Sequence, residues 1–357
     1  MDTKTYRVIG VMSGTSLDGL DIAFIEFKKN KDWNFDIKIA ETTKYPEIWY
    51  NRLKTAIQLE SDELEKLDQQ YTNYLAQKIK FFINTHNIKN IDAVCSHGHT
   101  VFHKPEIGIT KQIGNKEGLA KVLGLTVICD FRVQDVALGG QGAPLVPIGD
   151  ELLFNEYDYC LNLGGFANIS TNNGQRIAYD ICPVNIVLNY YASMMGVDYD
   201  DKGMLASQGS INVELLEKLN NLIFYKTTYP KSLGLEWVQE NFLPLIVNYE
   251  SADLKDILRT LIEHIAIQIT RCLEDNKEVL ITGGGAYNSF LISRIAKIKS
   301  VRVVLPSENI IEFKEALIFA FLGILKLCGE INCLSSVTGA SKNHSSGIVY
   351  FPNEVYN

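Results

Sequence analysis

No apolar run in this sequence approaches the ~20 residues that a membrane-spanning helix requires, so a helical membrane anchor is not expected. Basic charge is also in short supply: 34 Lys and Arg stand against 42 Asp and Glu, a formal net charge of −8. That balance argues against a nucleic-acid partner held on a basic face, and a phosphorylated ligand would have to be gripped by local backbone N–H groups and Mg²⁺. Only 9 prolines are present in an ordinary globular composition, so collagen-like, low-complexity and coiled-coil classes drop out, and no segment repeats at 20–50 residues. The 7 cysteines (Cys95, Cys129, Cys160, Cys182, Cys272, Cys328, Cys333) are odd in number and contain no C-x-x-C pair, which suits reduced thiols in a cytoplasm better than a disulfide framework. A polar start, Met1–Arg7, runs directly into a strand-like segment, so no leader is expected. What remains, at 357 residues and 46% apolar, is a soluble globular chain of about two domains.

The first half opens with three strand-like runs, Tyr6–Val11, Leu20–Phe27 and Phe35–Thr43, which read as a meander. Helical spacing follows over Glu47–Leu59 and Ser61–Thr85, then a short strand at Ile91–Ser96 and another at Thr126–Ile128. A second pass begins near residue 159 with short strands at Tyr159–Leu163, Ala167–Ser170 and Arg176–Tyr179, and a helix from about Pro183. Ala252–Leu273 carries one apolar face and leads into the buried strand Glu278–Thr282. Each half thus begins with a hairpin and a Gly-rich turn, which predicts a duplicated α/β architecture: residues 1–145, joined by about 335–357, and residues 146–334. The boundary is expected in the Gly139–Pro147 segment.

Five groups of residues could carry chemistry. The turn Gly14-Thr15-Ser16-Leu17-Asp18-Gly19, with Leu20 and Asp21 beyond it, offers backbone N–H groups and hydroxyls to phosphate and carboxylates to Mg²⁺; it lacks the G-K-[ST] ending of a Walker loop and could be a plain hairpin turn. Gly164-Gly165 and Gly283-Gly284-Gly285 each follow an apolar strand; one such turn could serve only tight packing, and three together suggest a nucleotide cleft. Asp180, before Pro183, could take a proton from a hydroxyl or water, or simply cap the next helix. His97, His99 and His103 could bind zinc or be surface histidines, although no full metal-ligand set surrounds them, and His97 and His99 could instead contact a sugar. Arg132 lies where α/β sheets bind ligands and could instead pair internally with Asp130 or Asp135.

In order, G-V-M-S-G-T-S-L-D-G-L-D from Gly10, S-H-G-H-T-V-F-H-K-P from Ser96, D-F-R-V-Q-D-V-A-L-G-G-Q-G-A-P-L-V-P from Asp130, N-L-G-G-F-A-N-I-S from Asn162, I-T-G-G-G-A-Y-N from Ile281 and S-V-T-G-A from Ser336 resemble the anhydro-N-acetylmuramic acid kinase family. The resemblance implies two ribonuclease-H-like domains of the actin and hexokinase type around an ATP cleft, and a homodimer. It also implies an activity: water opens the 1,6-anhydro ring of anhydro-N-acetylmuramic acid while O6 receives the γ-phosphoryl group of ATP, in cell-wall recycling. On this chain the resemblance makes Gly14–Asp21, Gly164-Gly165 and Gly283–Gly285 the ATP side, Asp180 the catalytic carboxylate, and His97, Arg132 and Glu315 the sugar side, with no protein metal ligand assigned. Three departures stand out: Tyr179-Asp180-Ile181-Cys182-Pro183-Val184-Asn185 replaces the family's F-D-T-G-P-G-N, His99 replaces a Gln, and Leu233 and Leu235 alter P-K-S-T-G-R-E. A kinase for another anhydrosugar such as levoglucosan, or a nucleotide-binding sensor without transfer, would share much of this pattern.

Overall fold

The computed structural model describes residues 4–249 and 253–352. The chain divides into two units, Met1–Leu153 with Phe313–Asn357, and Phe154–Glu312. In unit one, β1 (Lys4–Ser13), β2 (Leu20–Lys29) and β3 (Trp33–Thr43) form an antiparallel meander. β4 (Ala93–Lys104) lies parallel to β1 and forms a hairpin with β5 (Ile109–Ile113), and β6 (Val127–Cys129) lies parallel to β4. A last strand, Ile348–Tyr350, closes the sheet against β6.

Side-chain alternation on β1 sorts the two faces of this sheet. Ile9 and Val11 join a core with Leu67, Tyr71, Leu75, Ile79 and Phe82, the buried stripe of the helix Ser61–Thr85. Each such side chain contributes roughly 1.5–3 kcal/mol on burial, which docks the helix without help from its polar remainder. Gly10 faces the helix Glu308–Leu327, where a Cβ would run into the carbonyl of Ala316; Gly149 against Ile318 and Gly323 against Cys95 are as close.

Unit two repeats the plan. β7 (Tyr159–Leu163), β8 (Phe166–Asn172) and β9 (Arg176–Pro183) form the meander, β10 (Glu278–Thr282) lies parallel to β7, and β11 (Arg302–Val304) parallel to β10. Both sheets therefore carry a meander whose first strand is followed by two parallel strands, the ribonuclease-H-like order of an α/β fold. The helix Leu254–Arg271 covers the second sheet through Ile257, Leu258, Leu261, Ile265 and Ile269.

Several bounds differ from the sequence reading. The units divide after Leu153 rather than 145, because the helix Pro147–Leu153 packs through Gly149 onto Ile318 of unit one. The chain returns to unit one at Phe313 rather than near 335; there the backbone of the helix Glu308–Leu327 leaves helical geometry (φ −109°, ψ 17°). β4 continues eight residues past Ser96, β9 continues past Tyr179 to Pro183, and the next helix starts at Asn185. Ala252, Met1–Thr3 and residues 353–357 lie outside the described residues.

Candidate functional site

In unit two, β7 and β10 are parallel neighbours, so the turns at their C-terminal ends lie side by side, where α/β sheets bind ligands. Gly283 has φ +80°, and a Cβ there would stand 2.6 Å from Asn162 Oδ1; one on Gly285 would stand 2.7 Å from Leu163 Cβ. These two glycines let the turns touch. Gly165 and Gly284 are exposed, and a Cβ on either would meet nothing nearer than 3.9 and 3.8 Å. Packing does not require glycine there, and the backbone is left bare to solvent. Asn185 ties the region together: its Nδ2 donates to Leu163 O (3.2 Å) and its N–H to Gly164 O (3.2 Å).

Asp180 is within β9, opposite Asn168, beside a bulge that leaves Ile181 unpaired. The following helix begins after Val184, with no side-chain cap, so the capping reading of Asp180 fails. Its Oδ2 accepts from the Leu233 N–H at 2.8 Å, and its own N–H donates to Lys231 O at 3.2 Å. The side chain is half-buried; desolvation raises its pKa above the ordinary 3.8, and the Leu233 amide opposes the rise. Ile181, Cys182 and Val184, the departures beside it, are all buried in the unit-two core. Leu233 departs in its side chain yet supplies the contact through its backbone. Sequence reasoning missed this partner because an amide donor carries no residue-type signal.

In unit one, the β1–β2 turn places Thr15, Ser16 and Asp18 in solvent, with Leu17 at φ +62° donating to Gly14 O (3.3 Å). Gly19 lies too close to Thr42 and Thr43 for a Cβ, and Asp21 accepts from the Thr42 hydroxyl (2.6 Å). At the base of the turn, buried Ser13 shares hydrogen bonds with Tyr45 (2.7 Å), Tyr71 (3.0 Å) and His99 Nδ1 (3.0 Å). Burial lowers the His99 pKa to about 4, so the ring is neutral.

His97 is buried against Phe319 with ring centroids 4.5 Å apart. Its Nδ1–H donates to Gly98 O (2.9 Å), and its Nε2 accepts from Arg132 Nε (2.9 Å). Burial and the Arg132 charge hold its pKa well below 6.5, in agreement with that tautomer. Arg132 donates a second bond to Gly142 O (2.7 Å) and covers Phe319 at 5.9 Å. Its hydrogen bonds thus go to His97 and Gly142, rather than to Asp130 or Asp135 as the internal-pair reading had it; Asp130 accepts from Asn115 (2.9 Å) and Asp135 from Gly142 N–H (2.6 Å).

Glu315 is open to solvent, one helical turn before Phe319. Surrounding protein still desolvates its carboxyl and raises its pKa; Arg132 opposes this and Asp21 adds to it. Arg132, His97, Glu315 and Asp21 therefore share one neighbourhood of unit one. His97, His99 and His103 do not converge on a metal: their partners are Arg132, Ser13 and Thr110 respectively. Sequence reasoning named Asp130 only as a possible partner of Arg132; its φ of +56° and half-buried carboxyl of raised pKa mark a strained position after β6.

No helix among the described residues is long and apolar enough to cross a membrane. The model of the family described as anhydro-N-acetylmuramic acid kinase matches residues 6–352. Anhydro-N-acetylmuramic acid kinases from Pseudomonas syringae pv. tomato and Francisella tularensis subsp. novicida are 34% and 33% identical, each alignment covering 96% of this chain and 98% of the relative. Among solved structures, a ligand-bound xylulose kinase from Lactobacillus acidophilus aligns with a TM-score of 0.43 at 13% identity over 98% of this chain and 94% of that one, too slight a likeness to carry weight. With the glycine turns, Asp180, His97 and Arg132 all inside a match of nearly full length, the chain belongs to the anhydro-N-acetylmuramic acid kinase family.

Proposed function

We propose that this chain is an ATP-dependent kinase that opens 1,6-anhydro-N-acetylmuramic acid with water and phosphorylates O6, giving N-acetylmuramic acid 6-phosphate and ADP in the reuse of cell-wall amino sugar. The observation that carries this reading is Asp180: within a family match over residues 6–352, the carboxylate of the family motif is half-buried, free of any capping duty and oriented by one amide. A raised pKa makes it a stronger base than an exposed carboxylate. Water attacking the anomeric carbon gives its proton to Asp180, the bond from that carbon to O6 breaks, and O6 takes the γ-phosphoryl group as ADP leaves.

The bare backbone at Gly165 and Gly284, with the Gly14–Gly19 turn, supports the ATP-phosphate role, since N–H groups there can donate to phosphate oxygens without side-chain interference. His97, Arg132 and Glu315 are assigned to the sugar; Arg132, braced by two hydrogen bonds and by Phe319, is suited to a fixed anion or hydroxyl. Mg²⁺ prefers hard carboxylate oxygens, which Asp18, exposed in the β1–β2 turn, and Asp21 carry, and bound there it would neutralise phosphate charge. The free state of all seven thiols supports a cytoplasmic location, and the homodimer implied by the resemblance is read by sedimentation.

The test is ATP-dependent turnover of 1,6-anhydro-N-acetylmuramic acid, following ADP and the sugar 6-phosphate. Wild-type turnover that falls by about 10²–10⁴-fold in a folded Asp180→Asn variant supports both substrate and base. A wild type that binds ATP and leaves this sugar untouched overturns the substrate assignment and makes levoglucosan the next acceptor to try.

A further inference from the structure

Unit one holds a cluster of potential ligands that the site above does not use. Asp135, Cys333 and His344 are all buried, and a carboxylate oxygen, the sulfur and a ring nitrogen lie within 4.8 Å of one another. Cys333 Sγ is 3.0 Å from Asp135 Oδ1, and His344 Nε2 is 3.6 Å from the same oxygen. Around a tetrahedral zinc ion with ordinary bond lengths, sulfur, nitrogen and oxygen ligands stand about 3.3–3.6 Å apart. Small shifts of these side chains would bring all three to that spacing.

The surroundings are those of ligands already held for a metal. His344 Nδ1–H donates to Lys342 O at 3.1 Å, which fixes the tautomer and leaves Nε2 as a bare acceptor. That nitrogen has no hydrogen-bond partner although His344 is only 6% exposed, and an orphaned buried acceptor is unfavourable unless something satisfies it. Asp135 is braced on both oxygens, by Gly142 N–H at 2.6 Å and the Thr338 hydroxyl at 2.7 Å. Cys333 and His344 face each other across an antiparallel bridge, exchanging backbone bonds of 3.1 and 3.2 Å. Their positions are thus set by backbone, and Asp135 comes from the helix Val133–Ala137 directly after Arg132.

The geometry points to a structural site for a borderline-soft divalent ion, Zn²⁺ before the harder cations, bound by Asp135, Cys333 and His344 with water as the fourth ligand. On binding, the Cys333 S–H bond is replaced by a sulfur–metal bond and the proton passes to solvent. The ion would clip the loop 333–344 to the Arg132 segment. This inference stands apart from the kinase reading: metal binding is measured without turnover, so either can fail alone.

The test uses the full-length chain, stripped with a chelator and refilled with Zn²⁺ or Co²⁺. About one metal ion per chain, a higher melting temperature with Zn²⁺, and a thiolate-to-cobalt charge-transfer band are expected. Cys333→Ser and His344→Ala should each weaken binding tenfold or more and change the band, whereas Cys272→Ser in unit two should change neither. A folded wild type that takes up no metal above a buffer blank, or that binds equally in both variants, overturns the site and leaves a hydrogen-bonded thiol–carboxylate cluster. If one variant does not fold, the wild-type cobalt spectrum and the other variant decide.

Discussion

The Asp180 carboxyl answers to two opposed influences, desolvation that favours its neutral form and the Leu233 amide that favours its anion. As the base proposed above it would work only when ionised, so activity should fall as pH drops through its raised pKa, at a higher pH than a free carboxyl of 3.8 would give. A kcat/KM profile against pH checks this. Leu233→Pro deletes the donor, and the acidic limb should then move to still higher pH. Arg132→Lys offers a second measurement: a single ammonium cannot replace a fork that reaches both His97 and Gly142 O. Losing one such charged hydrogen bond costs about 1.5–3 kcal/mol, so kcat/KM for the sugar should fall roughly 10–100-fold.

At the scale of single elements, the glycine turns separate packing from binding. Gly283→Ala meets Asn162 and Leu163 at φ +80° and should lower the melting temperature. Gly284→Ala has room for its methyl group, so it should leave stability unchanged and raise the KM for ATP if phosphate lies against that backbone. Gly10→Ala, pressed onto the Ala316 carbonyl, should cost about 1–3 kcal/mol in denaturant unfolding. The elements easiest to read from sequence were those with one unbroken pattern: the helix Ser61–Thr85 and the strands Tyr159–Leu163 and Glu278–Thr282 lie where their apolar spacing put them. The second half of β4 was hidden because Gly98, at φ +73°, and three histidines interrupt the alternation. β9 was cut short at a bulge that only its partner strand reveals. Asp180, His97 and Arg132 could be named as candidates from residue type and motif. The Asp135–Cys333 contact could not, since 198 residues separate its members and no local spacing links them.

For the whole molecule, three buried histidines set the response to acid. Burial lowers His97 well below 6.5, His99 to about 4 and His264 to about 3, so all are neutral in the folded chain. The unfolded chain takes up protons on these residues below about pH 6.5, so it binds more protons than the fold and stability should fall as pH drops from 6.5 toward 4. Each histidine contributes a slope of up to ~1.4 kcal/mol per pH unit. Asp130 and Asp180, with raised values, act in the opposite sense at the acidic end. Urea midpoints at pH 7, 6 and 5 measure the net effect.

The route of the chain has its own consequence for synthesis. Unit two is one continuous stretch, Phe154–Glu312, whereas unit one is interrupted by it and receives the latter part of the helix Glu308–Leu327 and the strand Ile348–Tyr350 only afterwards. On the ribosome, the segment made first must therefore wait, its β1 face uncovered at Gly10 and its β6 edge unpaired, while the segment made second already has its whole sheet. A nascent chain arrested after Glu312 should accordingly resist protease over 154–312 and be cut within 1–153, the reverse of the usual order in which the earlier-made domain matures first.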